Sequence, residues 1–227
     1  MSPKSQHIGL IAPYIALLLF ALLFHEKVQS YISLPESTIF RILNSPQTFF
    51  LIFSLILIWI KKISPSAFGL GKVQARIFLP PLWIGLLPIL LVIGFTYICE
   101  GFTFTWLPKT LRESLRMIQN LPISELCLLL LLAPIAEEFF FRGVLLRAFA
   151  EKKSWRWASL ISSIVFALTH SDLWMGPFAL GMVNAYLLQR TQSLYPLMLL
   201  HFLVNCWGIL AMNLPNKSLH WIEMLFR

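Results

Sequence analysis

Apolar residues in this chain fall in long runs, separated by short connections that carry most of the charge. The runs cover approximately 8–24, 47–60, 77–98, 121–148, 157–171, 173–189 and 193–213. A membrane-crossing helix needs about 20 mainly apolar residues, within a range of about 17–25. The pattern therefore predicts an all-α fold, a polytopic integral membrane helical bundle of about seven spans, with six or eight as bounds. The second run is short and extends toward Leu43 or Ile63. The fourth is long and contains Pro134, which predicts a kink or tilt there. Ser218 to Arg227 mixes Trp221, Ile222, Leu225 and Phe226 with His220, Glu223 and Arg227, a pattern suited to an interfacial helix. Lys4 followed by Ile8 to Phe24 is like a signal peptide, but no A-x-A-like site follows. That run is expected to be an uncleaved first span.

Composition agrees with the pattern. The chain of 227 residues is 58% hydrophobic and 12% charged. Soluble domains hold about 45–50% apolar and about 25% charged residues. No room remains for a sizeable soluble domain, so residues 1–227 are expected to form one membrane-embedded domain, with N-terminal spans over 1–120 and a core over 121–210. The formal charge of +8 comes from Lys and Arg scattered in short connections, not from one basic stripe. No nucleic-acid partner is expected; the lipid bilayer is. Lys61, Lys62, Lys72 and Arg76 lie in one connection, Arg147, Lys152, Lys153 and Arg156 in a second, and Arg190 in a third. These alternate connections place the N-terminus in the cytoplasm and the C-terminus outside. The connection with Lys109, Arg112 and Arg116 against Glu100 and Glu113 dissents, and reads as a re-entrant or surface helix. Cys99, Cys127 and Cys206 form no C-x-x-C and are expected to be small core residues.

Against this background the stretch Glu137-Glu138-Phe139-Phe140-Phe141-Arg142 is an energetic anomaly. A charge at the centre of a spanning helix costs about 2.5–3.5 kcal/mol even on lenient scales, so an ionisable residue there marks a candidate functional site. On a helix, residues four apart share a face. Glu138 and Arg142 are so spaced and are expected to neutralise each other. Glu137 points about 100° away, with Phe141 as its own i+4 neighbour, and is left facing a cavity as a candidate general base. An interfacial charge cluster is the plain alternative. Two further polar intrusions bear on it. The fifth run ends Thr169-His170, and the seventh carries His201 and Asn205 four apart on one apolar helix. His7, His25 and His220 lie at run ends, where solvation is cheap. Counted from the cytoplasmic ends, Glu137, His170 and His201 reach similar depths of about 10–20 Å at 1.5 Å per residue. They fit one cavity. A carboxylate and an imidazole there can take a proton from water, and a second imidazole with an amide can donate to an oxyanion. The same Glu137, His170 and His201 are candidate ligands for a divalent metal such as Zn²⁺, although no H-E-x-x-H is present. No G-x-S-x-G marks a nucleophile, so activated water is favoured over a covalent intermediate.

Taken together, three stretches resemble one family, the CPBP (CAAX protease and bacteriocin-processing, or Abi) intramembrane proteases of the glutamate type. The first is Glu137-Glu138 with Arg142-Gly143, the second Phe166 to His170 and the third His201 to Asn205. The resemblance covers about residues 121–210 and implies an intramembrane endopeptidase, a hydrolase of the cell (inner) membrane in a prokaryote. It implies that Glu137 and His170 activate water, that His201 and Asn205 serve the oxyanion, and that Glu138 and Arg142 support them. Metal use has been argued both ways for that family. The expected partner is a protein or peptide substrate at the membrane, with prenylation undetermined. Two other classes remain beside it: a non-catalytic immunity or binding protein on the same scaffold, and a small proton-coupled transporter. The transporter is weakened because no internal repeat is visible.

Overall fold

A computed structural model of the chain describes residues 45–61, 64–71, 74–100, 122–170 and 175–211. The expected first span, the 101–121 connection, the closing segment, and His7, His25 and His220 lie outside the described residues. Every element described is helical. They are α1 (Pro46–Lys61), α2 (Leu79–Glu100), α3 (residues 123–152), α4 (Trp155–Leu168), α5 (Met175–Thr191) and α6 (Tyr195–Ala211), with short 3₁₀ turns at Pro65–Phe68 and Ala75–Phe78. The apolar runs thus mark helices to within a few residues. Among the described residues, no helix is long and apolar enough to cross a membrane.

Helix α3 is the centre. Its winding alternates: α over Ile123–Cys127, π over Leu128–Leu132, α over Ala133–Glu137, π over Glu138–Leu146, then α over Arg147–Lys152. Pro134 explains the first π segment. A proline inside an α-helix removes a donor and crowds the carbonyl four residues back. The wider π turn shifts the ladder by one residue, so that the Ala133 N–H reaches the Leu128 carbonyl. Pro134 is accommodated here by a change of winding.

The second π segment is buried at all nine residues. A helix can bury every side only if neighbours surround it, and α1, α4, α5 and the Pro65–Phe68 turn all pack on this stretch. The three consecutive phenylalanines divide these neighbours between them. Phe139 meets Phe68 edge-on at 5.8 Å, Phe140 stacks on Phe50 of α1 at 4.7 Å, and Phe141 meets Phe166 of α4 at 5.0 Å. Each such pair contributes about 0.5–1.5 kcal/mol beyond simple burial. Helix α6 packs on the N-terminal half of α3, and α2 packs outside α6. The α2–α6 approach is close at Gly85, where an added Cβ would stand 2.5 Å from the Leu203 Cδ1.

Candidate active site

The packing of α3 brings its polar residues against the ends or middles of three other helices. Glu138 and Arg142 form the ion pair that their spacing leads one to expect: Nε stands 3.3 Å from Oε2 and Nη1 3.4 Å from Oε1. Both side chains are fully buried. The guanidinium also lies over the Phe166 ring, 4.3 Å from its centroid, which adds a cation–π contact. Room for it comes from Gly181 on α5. A Cβ at that position would lie 2.7 Å from Nη2 of Arg142 and 2.9 Å from Ser163.

His201, on α6, is buried and bridges the two glutamates. Its Nδ1 is 2.9 Å from Glu138 Oε1, a hydrogen bond across 63 residues of sequence. Its other nitrogen, Nε2, faces Glu137 Oε2 at 3.8 Å. His170 follows the end of α4, and about a third of its side chain is exposed. Its Nδ1 lies 2.9 Å from the Phe166 carbonyl, so that nitrogen carries the proton and donates. The ring is thereby oriented, and Nε2 faces Glu137 Oε2, 4.0 Å away.

Glu137 is held differently from its neighbour. Its Oε1 accepts a hydrogen bond of 3.1 Å from Nε2 of Gln47 at the start of α1. Its Oε2 is buried and has no hydrogen-bond partner. Two imidazole nitrogens face that oxygen at 3.8 and 4.0 Å, too far for direct hydrogen bonds and suitable for a bridging water. No sequence signal marks Gln47, because it stands at the mouth of an apolar run, where a polar residue is ordinary.

Asn205 occupies another level. Its Nδ2 donates to the Leu129 carbonyl at 2.7 Å. Leu129 precedes Glu137 by eight positions, about 12 Å along a helix at 1.5 Å per residue. The carbonyl is free for a local reason. The Ala133 N–H is committed to Leu128, and Pro134, next in line, has none. The structure therefore brings Glu137, Glu138, Arg142, His170 and His201 together, and sets Asn205 on the wall two turns away.

The comparisons with known proteins bear on this arrangement. Residues 119–207, which contain every one of these residues except Gln47, match the family described as Rce1-like, type II CAAX prenyl endopeptidase. This segment, about two fifths of the chain, is similar to that family. A Bacillus subtilis protein, YdiL, named for a membrane peptidase, is 31% identical over 106 residues, or 46% of this chain. The chain spans 43% of that relative's length. No solved structure matches.

For a metal, the described donors do not fit. No group of three or more His, Cys, Asp or Glu side chains among the described residues is arranged to hold one. The donor separations of 3.8 and 4.0 Å at Glu137 also exceed the edge of about 3.4 Å that tetrahedral zinc with bonds of about 2.1 Å would require. Cys127 and Cys206 are free thiols.

Proposed function

We propose that this chain is a member of the CPBP family and an intramembrane endopeptidase that hydrolyses a peptide bond of a membrane-associated or lipid-modified substrate with activated water. The observation that carries the reading is the unpartnered Glu137 Oε2, buried and faced by two imidazoles at water-bridging distance. A water lodged there donates one hydrogen to Glu137 Oε2 and is oriented by His170 Nε2 beside it. As its oxygen attacks the substrate carbonyl, Glu137 takes the proton and returns it to the leaving amine.

The carbonyl oxygen becomes an oxyanion and needs donors. With Nδ1 bonded to the ion-paired Glu138, His201 donates from Nε2 when its ring carries both protons. Asn205, tied to the Leu129 carbonyl two turns from Glu137, is assigned a structural role in this proposal rather than the oxyanion role its spacing suggests.

The surface supports a bilayer setting. Ionisable groups are inside, at Glu137, Glu138, Arg142 and His201, while Trp59, Trp83, Leu90, Leu91 and Leu168 are exposed outside. This inversion suits helices in lipid. The seven-span bundle, the cytoplasmic N-terminus, the external C-terminus and the inner-membrane location complete the proposal.

The test is cleavage of an internally quenched farnesylated CAAX peptide by the purified protein in liposomes, beside an unprenylated peptide of the same sequence. Wild type is expected to cleave, and Glu137→Ala and His170→Ala to insert normally and lose cleavage. Full activity in both variants would overturn the reading. Preference for the farnesylated peptide would place the substrate among prenylated proteins. Metal analysis with cleavage measured in chelator tests the metal-free account.

A further inference from the structure

Gln47 lies outside the family-matched segment, yet it is the residue that touches the candidate base. We propose that Gln47 is a positioning residue: its amide N–H holds Glu137 Oε1 so that Oε2 faces His170 and His201. The inference rests on the proposed peptidase function for its kinetic readout, though not for the contact itself.

The register between α1 and α3 is what delivers the amide. Phe50 stacks on Phe140 at 4.7 Å and meets Phe141 at 5.2 Å. Gln47 lies three residues before Phe50, and Glu137 three residues before Phe140. One ring stack and one hydrogen bond therefore repeat at the same offset along both helices. The first turn of α1 is set by Ser45, whose Oγ accepts from the Thr48 N–H at 3.3 Å and whose carbonyl accepts from the same N–H at 3.1 Å. The two backbone ends of the contact are thus fixed on either side.

A carboxylate with no anchor turns about its terminal torsion, which is broad and nearly two-fold. Either oxygen would then meet the water, at varying angles. The amide removes that freedom by a charge-assisted bond. It also supplies a donor where Glu138 instead has a guanidinium and an imidazole. Sequence distance hides the link, since 90 positions separate the partners.

Gln47→Leu keeps the approximate volume and removes the donor. Gln47→Glu keeps the shape and sets a carboxylate where the amide was. In liposomes with the quenched farnesylated peptide, both are expected to lower kcat about tenfold to a hundredfold with KM unchanged and the melting transition in place, as a misaligned base predicts. Gln47→Lys, which restores an N–H donor, is expected to recover part of the rate. Unchanged kcat in Gln47→Leu, or a loss that appears in KM or in unfolding alone, would overturn the proposal. The contact is also read without turnover, by infrared spectroscopy. The carboxylate band that disappears in Glu137→Gln is expected to shift in Gln47→Leu, and an unmoved band would overturn the assignment even if the wild type cleaves nothing.

Discussion

Glu137 and Glu138 are adjacent in sequence and differ in almost every physical respect. Glu138 is fully buried, paired with the Arg142 guanidinium and bonded to His201. Glu137 has one oxygen held by an amide and the other with no partner. The first carboxylate is spent on an ion pair within α3 and a hydrogen bond that joins α3 to α6; the second is held, and kept available. A buried ion pair is weak evidence for net stability, but breaking one by removing a partner is costly, because a charge stays behind. That asymmetry gives the comparison its measurable consequences.

The largest effect on folding falls on the Glu138 side. Arg142→Ala is expected to destabilise the protein by about 3–5 kcal/mol, since Glu138 would remain buried without its counter-ion. Thermal unfolding in detergent checks it, and the loss is expected to shrink in Arg142→Ala combined with Glu138→Leu. A smaller effect tests the space that the guanidinium occupies. Gly181→Ala places a methyl 2.7 Å from Nη2 and 2.9 Å from Ser163, and is expected to cost about 1–3 kcal/mol through overpacking. If Gly181→Ala unfolds with the wild type, the Arg142 side chain is not confined as described.

The smallest effect concerns Asn205 on the wall. Asn205→Ala is expected to lose about 1–2 kcal/mol, because a helix carbonyl is left without a donor. Pro134→Ala should return part of it by restoring a backbone N–H at the turn. Non-additivity in that double-mutant cycle is the readout. Strict additivity would separate Asn205 from Pro134.

Much of the helical layout is legible in the sequence, and the reason is periodic burial on a large scale. The expected run 173–189 is the helix Met175–Thr191, and 193–213 is Tyr195–Ala211. The Glu138–Arg142 pair is likewise legible, since i,i+4 spacing is a property of the helix itself. Other features have no sequence signal of that kind. The π winding at Leu128–Leu132 depends on how Pro134 is accommodated, and a run of five leucines reads the same in either winding. Asn205 bonds a backbone carbonyl, which carries no residue-type signature. Gln47 is polar at a helix start, where such residues are common for capping reasons unrelated to catalysis.

The division of roles between the two glutamates has one direct measurement. It is kcat of Glu137→Gln for the quenched farnesylated peptide in liposomes, taken with the melting transition of the same preparation. A general base contributes about 10²- to 10⁴-fold, so kcat is expected to fall by that factor while the protein melts with the wild type. A Glu137→Gln protein that cleaves at the wild-type rate would contradict the assignment of Glu137 as the base.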